Sequence, residues 1–274
     1  MFRVRWQVAT IAILGICMAI DLCCAMSVYQ TALVFAISSS DAEGATAVLD
    51  GYGAPYDLIM VPQSGIELPT LETTTECNEP VGLYGLIVVV SQLSYDYGGS
   101  IGYASALNSS QWDTLYAYQV KYSVRMVQLN IYPSAVEGVG VVPPGGCCSG
   151  EEQLITLTDT SFIPSAGLNS VGLSTIGLWH TPAVVTDSNT TATSAFLEFG
   201  TNSQYSSTSV AGVKKIYSDG REEMDFFITV GSWSPTSNYL GHIWFTWGYR
   251  GLYGGYRRIY FSTQGIKVLH LRSF

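Results

Sequence analysis

Short apolar runs alternate with capped, amphipathic segments over the first half of the chain, and that alternation leaves few folds open. Residues 31–37 (TALVFAI), 56–61 (YDLIMV), 86–90 (LIVVV) and 125–131 (RMVQLNI) have the length and composition of strands, and the first is apolar enough to be covered on both faces. Ser40 is placed to cap a helix that opens on Asp41 and Glu43, where negative charge suits the helix dipole. Ala42, Ala45, Leu49 and Tyr52 share one face of it, and Gly51 or Gly53 ends it. Ser110 can cap a second helix starting at Gln111, with Trp112, Leu115, Tyr116 and Gln119 on one stripe. Strand–helix–strand alternation implies parallel pairing, so residues 26–135 are expected to form a flavodoxin-like or amidotransferase-like layered α/β unit.

The pattern changes near Val136, and Pro143-Pro144-Gly145-Gly146 marks a break. Beyond it come short strand-like runs at 154–157, 195–199, 210–217, 224–230, 242–247 and 257–262, with a hairpin-type turn at Ser218-Asp219-Gly220 and no convincing helix. Residues 136–264 therefore read as a β-sandwich-like region packed on the first unit, giving an α/β plus β chain.

The N-terminus has the layout of a signal peptide over residues 1–25. Arg3 and Arg5 supply the positive end, 8–20 the apolar stretch, and Ala25 a small residue at the cleavage point. That stretch is short for a membrane span, and no second long apolar run follows, so the expected destination is extracellular or cell wall, with no membrane contact after cleavage. Removal of the signal takes three cysteines and leaves Cys77, Cys147 and Cys148 as disulfide candidates. Asn108-Ser109-Ser110 and Asn189-Thr190-Thr191 are glycosylation sequons. The formal charge is −9, and between positions 31 and 200 the only basic residues are Lys121 and Arg125, which argues against a nucleic-acid partner.

Few residues offer catalytic chemistry. Ser91 ends the third strand without the glycines of a nucleophile elbow and reads as a polar strand end. Cys147 and Cys148 lack a strand–turn–helix context. His180, His242 and His270 are not spaced as a metal-binding pair and read as structural, so no metal site is expected. Asp219, Glu222, Glu223 and Asp225 read as a solvated acidic turn, with a glycosidase pair as the sharper alternative. Aromatic residues crowd the segment from Trp233 to Tyr260. Sugar rings stack on flat aromatic faces, so exposed members would make a glycan platform, whereas alternate residues on a strand point into a core. Trp179, Trp233, Tyr239 and Trp244 are the candidates for sugar contact.

Three segments, 52–63 (YGAPYDLIMVPQ), 218–227 (SDGREEMDFF) and 242–264 (HIWFTWGYRGLYGGYRRIYFSTQ), give the chain a resemblance to fungal galactosaminogalactan deacetylases of the extracellular serine-rich protein type. The resemblance covers about residues 30–264. It implies an N-terminal carbohydrate-binding region followed by a deacetylase domain that uses a divalent metal, zinc by that implication. In that family an aspartate pair and later a His-x-x-x-His supply the metal site, and neither motif occurs here: 265–274 (GIKVLHLRSF) is a divergent tail. The expectation is a polysaccharide-binding region without catalytic residues or cofactor of its own. A fragment of a full metal-dependent deacetylase and a structural wall protein are the alternatives.

Overall fold

The structure, a computed structural model, describes residues 27–76, 78–145, 151–163, 172–186 and 192–250. The expected signal peptide, Cys77, Cys147, Cys148, Asn189, His270, the run at 257–262 and the divergent tail lie outside them. No helix among the described residues is long and apolar enough to cross a membrane.

The strands are β1 (Ser27–Ala36), β2 (Tyr56–Met60), β3 (Glu72–Thr74), β4 (Pro80–Val90), β5 (Ser94–Asp96), β6 (Tyr103–Ser105), β7 (Arg125–Leu129), β8 (Val139–Val141), β9 (Ile155–Leu157), β10 (Ala183–Val185), β11 (Ala192–Phe199), β12 (Ser209–Ile216) and β13 (Glu222–Phe226). The helices are α1 (Ser39–Tyr52), α2 (Ser109–Tyr122) and α3 (Pro235–Gly248). One sheet runs β2-β1-β4-β7-β13-β12-β10-β8, with β11, β9 and β3 branching from it. Pairing is parallel from β2 through β13 and antiparallel beyond.

The layered α/β expectation is met in the first half. Ala32, Val34, Ala36, Val88 and Val90 face a core closed by α1 and α3, while Leu33, Phe35, Ile87 and Val89 face a second core closed by α2. Covering both faces is what the nearly continuous apolar runs require. The sandwich expected over 136–264 is not formed as a separate body. Its strands join the same sheet, because β13 pairs in parallel with β7 through Glu223–Met126, Met224–Val127 and Asp225–Gln128.

Two helix starts fall earlier than the sequence suggests. Ser38, in extended conformation, caps α1 by accepting from the Asp41 N–H at 3.1 Å. Asn108 caps α2 through a reciprocal box: its Oδ1 accepts from the Gln111 N–H at 3.0 Å, and its own N–H donates to Gln111 Oε1 at 2.9 Å. The larger correction is at 242–247, expected as a strand and folded as part of α3. Ser234 caps this helix, and Pro235 occupies its first turn, where the missing N–H costs nothing. Nearly every position from Leu240 to Gly248 is buried, so no polar face marks the helical period. Gly241 lets α3 lie close to α1: a Cβ there would stand 2.3 Å from Val48 Cγ2.

The acidic segment 219–225 is solvated only at its turn, where Asp219 binds Arg221. Glu223 and Asp225 are buried beside Lys215, whose Nζ lies 3.1 Å from Glu223 and 2.7 Å from Asp225. Burial disfavours charge on Lys215 and Asp225. The two carboxylates more than offset this for Lys215, which stays well above its ordinary pKa. Two carboxylates share one ammonium, and burial pushes Asp225 up to about 7. A carboxyl raised on folding stabilises the folded state fully below its unfolded pKa of 3.8, and that stabilisation is lost as pH rises through about 7. The expected result is that wild-type unfolding free energy, measured in urea, falls between pH 5 and pH 8, and that Asp225→Asn flattens this slope.

Candidate functional site

The carboxyl ends of β1, β4 and β7 meet at the point where the chain reverses its direction of winding. From β1 the crossover through α1 leads outward to β2, and from β4 the crossover through α2 leads the other way to β7. In open parallel sheets, ligands bind in the crevice outside such a reversal.

The loops there are conformationally costly. Ser91, Gln92 and Leu93 follow β4 with φ of 55°, 53° and 53°, a left-handed turn of three residues that all carry a Cβ. Asn130, following β7, also has φ of 55°. Such residues each cost on the order of 1 kcal/mol or more and persist where surrounding contacts hold them. Leu93 is fully buried, and Gln92 Nε2 donates to the Tyr132 carbonyl at 3.3 Å. Ser91 Oγ donates to Asp41 Oδ1 at 3.1 Å and accepts from Asn130 Nδ2 at 2.7 Å. This chain of contacts ties the first turn of α1 to the ends of β4 and β7 across the reversal. Burial raises the Asp41 carboxyl above its ordinary range, with the Ser91 hydroxyl pulling it back.

Above this floor opens a cleft of about 630 Å³, whose lining combines polar Ser91, Gln92, Ser94, Asn130 and Ser134 with aromatic Tyr103, Tyr132, Trp179 and Phe227. Tyr103, Tyr132 and Trp179 are 78%, 56% and 58% exposed, so their rings are available to a ligand. A smaller chamber of about 320 Å³ shares Gln92, Ser94, Tyr103 and Ser134 with the cleft and reaches Lys215 and Glu223. The arrangement suits a ligand with flat apolar faces and a rim of hydroxyl groups.

Of the four aromatic candidates from sequence, Trp179 walls the cleft and Trp233 is exposed. Tyr239 is partly buried and packs on the core, and Trp244 is buried within α3 at 1% exposure, so it presents no face to a sugar. Sequence reasoning passed over Tyr103, Tyr132 and Asn130 and set Ser91 aside. The available signal was position: Ser91 and Asn130 directly follow two apolar runs of a parallel unit. His180 is buried, with its ring nitrogens 3.0 Å from the Leu178 carbonyl and Gln153 Oε1, a structural role. His242 lies on α3, its Nδ1 hydrogen-bonded to the Tyr52 hydroxyl. Among the described residues no group of three or more His, Cys, Asp or Glu could hold a metal ion.

A family model described as Agd3 CBM87 matches residues 28–247. The chain belongs to this family. Among solved structures, the crystal structure of Agd3, titled a novel carbohydrate deacetylase, is 47% identical, with a TM-score of 0.76. The alignment covers 86% of this chain and 34% of that one, so the chain spans about a third of that protein's length. SMU.1228c (11% identity, TM-score 0.45, covering 76% of this chain and 80% of that one) and a Thermotoga maritima glutamine amidotransferase (12%, 0.40, covering 80% and 82%) are more distant similarities. No curated protein sequence matches. The CBM87 match takes in all the described strands and helices that build the cleft, including the ends of β4 and β7.

The positive φ at Asn130 sets a test. Replacing Asn130 by Ala or by Gly removes the same hydrogen bond to Ser91, but only Ala keeps a Cβ in the left-handed region. Asn130→Gly is expected to be the more stable of the two by about 0.5–1 kcal/mol in urea denaturation. Equal stabilities would mean that the strain in the turn is no larger than the extra chain entropy glycine loses on folding.

Proposed function

We propose that this chain is the polysaccharide-binding region of a secreted deacetylase of the Agd3 type, and that the cleft at the β4 and β7 ends holds the sugar. The observation that carries this reading is the pairing, in one cleft, of exposed rings with fixed hydroxyl and amide groups. Tyr103, Tyr132 and Trp179 offer surfaces on which a pyranose ring can stack. Ser91, Ser94, Asn130 and Ser134 offer donors and acceptors to its hydroxyls, and a side-chain hydrogen bond between Asn130 and Ser91 holds two of them in position. Membership of the CBM87 family and the likeness to Agd3 support a carbohydrate as the ligand class. The polymer proposed is an N-acetylgalactosamine-containing exopolysaccharide, following the resemblance read from the sequence. The chain's part is binding, and amide cleavage belongs to the metal-dependent domain that the resemblance implies.

The test is retention of the purified full chain on immobilised N-acetylgalactosamine-rich polymer against cellulose. Preferential retention on the first is expected. Trp179→Ala and Tyr132→Ala should each weaken it about three- to tenfold, the equivalent of one lost aromatic contact. Both side chains are more than half exposed, so the melting temperatures should stay close to wild type. Equal retention on both polymers would point instead to a wall protein without sugar specificity.

A further inference from the structure

A second aromatic surface lies outside the cleft, at an exposed tryptophan packed against two glycines. Trp233 follows the exit of β13, one residue ahead of the α3 cap, and is 64% exposed. Its indole rests against the backbone of two glycines. A Cβ on Gly231 would stand 2.5 Å from the ring Nε1, and one on Gly177 would stand 2.9 Å from Cη2 at the opposite end. Side chains at those positions would displace the ring, so the two glycines seat it at both ends. A ring fixed in this way has little rotamer freedom left to lose when a ligand packs on it.

The seat joins Trp233 to the cleft. Gly177 is two residues from Trp179, and two residues of extended chain reach at most about 7 Å. The segment carrying Trp179 runs antiparallel to the one leading to Trp233: the Thr229 N–H donates to the Trp179 carbonyl at 2.7 Å, and His180 bridges Ile228. Polar groups flank the ring, with Ser232 Oγ donating to Glu43 and Asn238 Nδ2 donating to the Ser232 carbonyl at 3.4 Å.

We propose that Trp233 is a second sugar-stacking subsite on the same ligand path, so that the module recognises the interior of a polysaccharide chain over several rings and not a single terminal sugar. This rests on the reading of the cleft as a sugar site. The probes are the N-acetylgalactosamine monosaccharide and size-fractionated oligosaccharides of its polymer, with affinity measured by calorimetry on the full chain. Wild-type affinity should rise with ligand length. Trp233→Leu keeps apolar bulk but loses the flat ring, and should bind the longest oligosaccharide about three- to tenfold more weakly while binding the shortest ligand as wild type does. Trp233→Tyr restores a flat ring and should recover most of the gain with length. Identical affinities of the Leu and Tyr variants for the long ligand, with Trp179→Ala still impaired, would overturn the second subsite and leave the cleft intact. If Trp179→Ala is also unimpaired, the cleft reading falls with it.

Discussion

Three residue pairs between β7 and β13 join segments about a hundred positions apart in the chain, and the rest of the molecule is arranged around them. Because the pairing is parallel, β13 leaves the sheet on the same edge as β4 and β7. Its continuation, 227–233, therefore runs beside the loops that follow those strands. Phe227 enters the cleft wall, and Thr229 holds the backbone of Trp179 in place. The same pairing places Glu223 and Asp225 inside, where Lys215 from the neighbouring strand meets them. Buried charge of this kind adds little net stability compared with a well-packed apolar core, but a one-residue slip of β13 would turn Glu223 and Asp225 away from Lys215 and toward the opposite, apolar face.

Much of the fold can be read from the chain alone, for an identifiable reason. Strands covered on both faces must be apolar throughout, so 31–37 and 86–90 announce themselves. Both helix starts slip by two residues because several Ser and Asn side chains stand in a row near each start, and only backbone geometry shows which one is extended and free to cap. The segment 242–247 defeats periodicity for a deeper reason. A helix buried on nearly all sides has no polar stripe, and Ile, Trp, Phe and Thr together look like strand. The Ser234-Pro235 start was the available counter-signal. That β13 would join the parallel unit, and so dissolve the expected sandwich, is a long-range pairing that no local pattern encodes.

The site was legible in part. Aromatic density directed attention to the C-terminal third, yet among the described residues most of those rings serve the core: Trp244, Phe245 and Trp247 are buried, and of the described rings there Trp233 stands clear of it. The cleft instead draws its rings from scattered loops, with Tyr103, Tyr132 and Trp179 separated by long stretches of sequence. Ser91 and Asn130 carry no motif. Their importance comes from backbone conformation and from adjacency across two strands, both products of the fold.

The cap at the start of α2 coincides with a glycosylation sequon. Asn108 is the first residue of a sequon and also the side chain whose Oδ1 closes the helix end. An attached glycan would occupy Nδ2 and leave that oxygen in place, so decoration and helix start are compatible. The usual asparagine-to-glutamine exchange used to delete a glycan would also uncap α2, at a cost of about 1 kcal/mol, and would mix a folding defect with the loss of a sugar. Removing the hydroxyl of Ser110 abolishes the sequon and spares the cap.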